Sequence, residues 1–382
     1  MTDDRIRVLR IIARMNVGGP ALQVTGLMEK LDGDRFDHRL VVGQLDEGEG
    51  DHLALRAPHV PVTRVAGLGR APGFAADLRA LRELIAIMRE FRPDIVHTHT
   101  AKAGFLGRVA ARVVGVPAVV HTFHGHVLYG YFGPAVTRAV VLAERAMAQG
   151  STRLVAVGER VRDDLLGARI GRPEQYAIFP PGIALAPGLP RAEARRELGV
   201  AEDATVLAFV GRLAAIKRPD RLARVVERVL EARPDTALIV CGDGTAAGEL
   251  AALRRFGDRV RLLGWRADVQ NVYAAADLVL LTSDNEGTPV SLIEAGMAGV
   301  PTVSTRVGSV AEVVLDGETG LLVGTDDDEL VAATLQLVDD PARRAELGAH
   351  ARRFTADRFS RERLVSDTEE LYESLLGAAR RA

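Results

Sequence analysis

Short apolar runs alternate with longer stretches of helical period from one end of the chain to the other. Residues 6–12, 38–42, 94–99, 118–121, 153–157 and 176–179 read as strands. Their nearly continuous apolar character suits a parallel sheet covered on both faces. Between them the period changes to that of helices, over 21–30, 73–91, 103–115 and 134–149. In 73–91, Leu78, Leu81, Leu84, Ile85 and Met88 fall on one face. The pattern restarts with strands at 205–210, 236–240, 260–264, 277–281 and 299–304, and helices at 268–276, from Gly308 to Leu315, and at 344–353 and 361–380. Alternation of this kind predicts βα units around parallel sheets. The Pro/Gly/Ala-rich stretch 180–190 reads as a linker, giving one domain at 1–182 and another at 191–360. The last helix, about 361–382, is long enough to cross back onto the first.

Composition narrows the class. A chain of 382 residues, 47% hydrophobic and 26% charged with 38 glycines, exceeds one ordinary core and suits two soluble α/β domains. A net charge of −2 shows no basic footprint of a nucleic-acid binder. The single cysteine, Cys241, rules out a disulfide framework and fits a reducing compartment. The start, Met1-Thr2-Asp3-Asp4-Arg5, is polar and is not a signal peptide, and no run reaches the ~18 apolar residues of a membrane span. The expected location is cytoplasmic, with at most a peripheral contact on the inner face of the plasma membrane.

The chemistry concentrates at the ends of the expected strands. After strand 277–281 comes a turn, Ser283 to Thr288, then a helix with Pro289 in its first turn, where a missing N–H costs nothing. The peptide N–H groups of Val290 and Ser291 lie at the electropositive end of that helix, which favours phosphate. Glu286 in the turn and Glu294 in the helix flank them, two acceptors suited to hydroxyls. Alone, both carboxylates read equally well as solvated. Gly211, Arg212 and Lys217 follow strand 205–210, an arrangement that suits a diphosphate. Gly18-Gly19 precedes the first helix without forming a GxGxxG fingerprint, and Gly242-Asp243-Gly244 reads as a strand-to-helix turn.

Five of the nine histidines, His97, His99, His121, His124 and His126, fall at the carboxyl ends of two consecutive strands. In open α/β sheets that edge binds ligands. A metal cluster has no cysteine or carboxylate to complete it, and a wall of imidazoles facing hydroxyls and phosphate is the reading preferred. Tyr129, Tyr131 and Phe132 belong either to the core or to a lipid-facing acceptor mouth. Asp326-Asp327-Asp328 opens an apolar-periodic helix, where Asp caps and complements the dipole.

Taken in order, Gly18-Gly19, His124-Gly125, Gly211-Arg212…Lys217 and Glu286…Glu294 resemble the motifs of retaining, metal-independent GT-B glycosyltransferases of family 4, over nearly the whole chain. The run from His97 through Lys102 to Gly104 and the segment Asp284 to Pro289 most resemble bacterial exopolysaccharide and capsule transferases. The resemblance implies two Rossmann-like domains facing a central cleft, and a nucleoside-diphosphate sugar donor, UDP-linked by expectation. It implies a saccharide or polyprenyl-diphosphate-linked acceptor, and no cofactor or metal.

The implied roles follow the motifs. Arg212 and Lys217 hold the diphosphate and stabilise the leaving group, with Gly19 giving it room. Val290 and Ser291 add backbone donors, Thr288 joins the donor site, and Glu294 accepts from the ribose. Glu286 lies near the sugar's reacting face, and His124 lines the reaction centre opposite it. Leu262 meets the base through its backbone. His97, His99, Lys102, His121 and His126 stand on the acceptor side. Pro289 departs from the family, many members of which carry Gly there, so the N–H that reaches the sugar is missing. Two alternatives stay open: a nucleotide-sugar 2-epimerase on the same architecture, and a nucleotide-sugar binding protein without turnover.

Overall fold

The structure is a computed structural model that describes residues 5–47, 49–69, 73–125 and 133–379. Contacts divide the chain into two units, Met1–Gly182 with Arg361–Ala382, and Ile183–Ser360.

Among the described residues of the first unit, seven strands form one sheet: β1 (Ile6–Ile12), β2 (Phe36–Val42), β3 (Thr63–Arg64), β4 (Ile95–His99), β5 (Ala118–Phe123), β6 (Arg153–Ala156) and β7 (Tyr176–Ile178). Their order is β3-β2-β1-β4-β5-β6-β7, all parallel. Alternation along β1 decides what each face buries. Leu9 and Ile11 pack with Val96 against Leu84 and Met88 of helix Phe74–Phe91 and Ala103 and Ala110 of helix Ala101–Val114. Val8 faces the other way, packing with Leu27 of helix Gly19–Lys30 and with Leu364, Tyr372 and Leu375 of the last helix, Arg361–Ala379. The final helix is thus part of the first unit's core.

The second unit repeats the plan with β8 (Thr205–Val210), β9 (Thr236–Cys241), β10 (Val260–Leu262), β11 (Leu278–Leu281), β12 (Thr302–Thr305) and β13 (Gly320–Val323), in the order β10-β9-β8-β11-β12-β13 and again parallel. Helix Pro219–Ala232 lays Leu222, Val225, Val226, Val229 and Leu230 on this sheet against Leu207, Phe209 and Leu238. The expected helix from Gly308 to Leu315 is only a single 3-10 turn, Val310–Glu312. The chain then reverses, with Thr319 Oγ1 accepting from Leu315 N at 2.8 Å and Gly317 N donating to Gly320 O at 2.8 Å, and enters β13. Asp326 caps helix Asp327–Asp339 by accepting from Asp328 N at 2.8 Å and Glu329 N at 3.3 Å. The stretch after Gly182 packs on the second unit: Ile183 N donates to Phe359 O at 2.8 Å, and Leu189 N to Asn271 Oδ1 at 3.0 Å. Among the described residues no helix is long and apolar enough to cross a membrane.

Candidate active site

In the second unit the strand order reverses between β8 and β11, the kind of switch point at whose carboxyl edge open α/β sheets bind ligands. The β8 loop carries Gly211, Arg212 and Lys217; the β11 loop carries Glu286 and leads into helix Val290–Ala298. Lys217 Nζ contacts Glu286 Oε1 in an ion pair, and Ser283 Oγ donates to the same oxygen at 2.6 Å. The two loops are stitched beneath this pair. Thr282 Oγ1 donates to Lys217 O at 3.1 Å, Arg221 Nη1 donates to Thr282 O at 2.7 Å and to Asp284 Oδ1 at 2.9 Å, and Arg218 also pairs with Asp284. Charge-assisted bonds of this kind hold loop geometry without using the Lys217 ammonium.

Two glycines let backbone segments meet at this edge. A Cβ at Gly242 would stand 1.9 Å from Gly211 O, so Gly242-Asp243-Gly244 is the turn that presses the β9 loop onto the β8 loop. Gly308, at φ 50° in the left-handed region, brings its loop onto the Glu286 peptide. There a Cβ would lie 1.9 Å from Glu286 O, and Ser309 N donates to that oxygen at 3.2 Å.

Helix Val290–Ala298 starts one residue later than expected. Pro289 has an extended ψ of 104° and acts as its cap, providing no side-chain acceptor, so the first N–H groups, Val290 and Ser291 among them, open toward the loop. Glu294 is buried at 5% exposure, and the hydroxyl of the equally buried Tyr273 lies 2.9 Å from its Oε2 and 3.1 Å from Ser291 O. Thr288 is half-buried in the β11 loop and Arg212 is exposed. Leu262, at the end of β10, lines a cavity of about 410 Å³ with Leu213, Gly242, Asp243, Arg254 and Gly264. Tyr273 and Gly308 were not legible as site residues; only the pairing of each with a glutamate some twenty residues away reveals them.

In the first unit the order reverses between β1 and β4. Gly19 opens the helix that follows β1. Thr100, directly after β4, holds φ 66° and ψ 159°, a conformation costly for any residue with a Cβ and found preferentially at functional sites. The structure gathers His97, His99, His121 and His124, yet only His124 keeps solvent-facing surface. His97 lies between the Tyr372 hydroxyl at 2.6 Å and Thr122 Oγ1 at 2.7 Å. His121 Nδ1 meets Thr98 Oγ1 at 2.8 Å, and His99 Nδ1 meets His124 Nε2 at 2.9 Å. The expected histidine wall is therefore mostly interior, one ring deep below the edge.

Burial dictates the charge state here. Desolvation, reinforced by the Arg10 guanidinium, holds His97 well below the usual histidine range; His99 and His121 are lowered in the same direction, and His124 is pushed down to about 3 by burial. Arg10, fully buried in β1, donates from Nη2 to the Tyr372 hydroxyl at 3.0 Å. Lys102 is committed elsewhere, to Asp77 on the neighbouring helix at 2.6 Å. His126, Tyr129, Tyr131 and Phe132 lie outside the described residues. Among those described, no three His, Cys, Asp or Glu side chains are grouped to hold a metal ion.

Two doubly wound parallel-sheet units of this kind define the GT-B class of fold. Residues 18–182 match the family model described as glycosyl transferase 4-like domain, and residues 204–340 match that described as glycosyl transferases group 1. The chain is 34% identical over 300 residues to a D-inositol 3-phosphate glycosyltransferase of Actinosynnema mirum, covering 72% of each. It is 29% identical over 326 residues to the Escherichia coli UDP-Gal:alpha-D-GlcNAc-diphosphoundecaprenol alpha-1,3-galactosyltransferase, covering 82% of each. Anabaena HepE, solved in complex with UDP-glucose, superposes with a TM-score of 0.80 at 21% identity, over 97% of this chain and all of that one. The chain belongs to the GT-B glycosyltransferases of family 4, and its activity is glycosyl transfer.

Proposed function

We propose that this glycosyltransferase moves a sugar from a UDP-sugar to a lipid-linked saccharide acceptor, with retention of anomeric configuration and without a metal ion. The observation that carries the proposal is the meeting of the loops that follow β8 and β11. It places Lys217, Arg212 and the open end of helix Val290–Ala298 at one switch point, with Glu286 already touching Lys217. A donor diphosphate is the ligand that such a field favours, and it would take over Lys217 from Glu286. Glu286 is then free for the transferring sugar, while Glu294 holds the ribose and the Leu262 cavity takes the base. As the bond from the anomeric carbon to the diphosphate breaks, the cations and N–H groups receive the growing charge. The acceptor hydroxyl forms the new bond on the same face, and its proton passes to the departing phosphate. His124, neutral by burial, serves the acceptor side.

The acceptor reading draws on the name of the Escherichia coli relative, whose acceptor is a diphosphoundecaprenol-linked sugar. Exposed apolar side chains support a peripheral membrane contact: Phe74 at 89% exposure, Phe105, Val136 and Leu142 lie on three helices of the first unit that pack side by side.

The test is a panel of UDP-sugars offered with a GlcNAc-diphospholipid acceptor in excess chelator. Transfer of one sugar with full activity is expected. Activity lost to EDTA and restored by Mg²⁺ or Mn²⁺ would overturn the metal-free mechanism, and C2-epimerised sugar formed without acceptor would overturn the transfer reaction. Flotation with anionic liposomes is expected to weaken in a Phe74→Ser/Phe105→Ser variant; equal flotation would remove the membrane contact.

A further inference from the structure

We infer that Tyr273 is a positioning residue for donor binding, one that orients Glu294 toward the ribose; the inference rests on the proposed role of Glu294. Tyr273 comes from helix Val269–Ala275, before β11, and Glu294 from the helix after it. Tyr273 is 1% exposed and Glu294 5%. A carboxylate that deep requires donors if it is to stay charged. The Tyr273 hydroxyl has one proton and two acceptors in reach, Glu294 Oε2 at 2.9 Å and Ser291 O at 3.1 Å. The shorter contact is to Glu294.

The consequence is geometric. With Oε2 held by Tyr273, rotation about the terminal bond of Glu294 is restricted and Oε1 keeps a fixed direction. A carboxylate oriented before the ligand arrives loses less freedom on binding than one that must be ordered then. The same hydroxyl lies 3.1 Å from Ser291 O, in the helix turn whose N–H groups are proposed to meet the diphosphate. One buried phenol therefore registers the ribose acceptor against the phosphate donors. Tyr273 touches neither the sugar nor the reacting bond, so its effect is expected on donor affinity and not on the chemical step.

The experiment compares UDP with 2′,3′-dideoxy-UDP by isothermal titration, beside steady-state kinetics, in the parent, Tyr273→Phe, Glu294→Gln and the double variant. Tyr273→Phe is expected to weaken UDP by up to about tenfold, the effect of losing one hydrogen bond, and to raise KM with kcat nearly unchanged. Dideoxy-UDP, which lacks the hydroxyls, is expected to bind parent and variant alike. In the Glu294→Gln background the Tyr273→Phe change should cost little more. Equal loss for both nucleotides would mean that Tyr273 only supports the fold, and no loss for UDP would mean that it does not orient Glu294; either result overturns the inference. Should Glu294→Gln itself leave UDP binding intact, the ribose role of Glu294 fails, a different result from failure at Tyr273 alone. If Tyr273→Phe does not fold, replacement of Tyr273 by p-aminophenylalanine, which keeps the ring and a donor at the same reach, must retain UDP discrimination or the inference falls.

Discussion

The two switch points differ in how they treat polar side chains. In the first unit, polar groups are sunk beneath the edge and stripped of water, so the imidazoles of His97, His99 and His121 stay neutral and bond to hydroxyls or to each other. In the second, charges remain near the edge in pairs, Lys217 with Glu286 and Arg218 with Asp284. Burial without a counter-charge suppresses ionisation, whereas pairing preserves it. Neutral imidazoles packed around the buried Arg10 guanidinium form the first switch point; under the proposed function, the paired half-open second would exchange an internal carboxylate for a phosphate.

Acid is expected to separate the two most strongly. His38 and His52 are lowered to about 4 by burial and His124 to about 3, below their ordinary 6.5. As pH falls through 6.5 the unfolded chain takes up these protons and the folded chain does not. The stability they contribute is therefore whole above pH 6.5 and is lost progressively toward pH 4. Asp220 is held well below the carboxylate range by hydrogen bonds from Arg218, so its share persists throughout that window and declines only below about 3.8. Hydrogen exchange followed by mass spectrometry between pH 7 and 4.5 should show protection falling first in the first unit; parallel loss in both would refute the burial account.

Glu286→Gln comes next, with kcat lowered by about 10²–10³, the scale of an electrostatic contact made in the transition state. Free UDP should bind almost as before, since it carries no sugar for Glu286 to meet. Titration beside kinetics checks both halves, and weakened UDP binding equal to that of Glu294→Gln would show the two roles to be misassigned.

Gly308→Ala attacks the same residue from behind. Its Cβ would lie 1.9 Å from the Glu286 carbonyl oxygen at a φ that disfavours side chains. A loss of about 1–3 kcal/mol in stability is expected from the strain, together with reduced kcat as the Glu286 loop shifts. Unchanged activity at unchanged Tm would mean that the loop is not set by this contact.

The smallest effect belongs to the buried floor. Tyr372→Phe leaves His97 Nδ1 and Arg10 Nη2 without their shared hydroxyl, for an expected cost of about 1–2 kcal/mol by denaturant unfolding. Donor affinity should not change, and a change would couple the last helix to the second unit's site.

The amino-acid pattern alone determined the alternation of strands and helices, the two-unit plan and the loops that carry Arg212, Lys217, Glu286 and Glu294, because period, turn residues and motif spacing are local quantities. Helix Pro219–Ala232, with apolar residues at 222, 225, 226, 229 and 230, was equally legible though not among the expected elements. Only tertiary structure decided which polar groups meet. Tyr372 of the last helix reaches His97 of β4 across 275 residues, and Tyr273 reaches Glu294 across 21, from one helix to another. Only the fold could sink His97, His99 and His121 below an edge where strand position alone had placed them at the surface. Burial and partner choice are properties of whole packed layers, and a side chain's charge, freedom and reach depend on them.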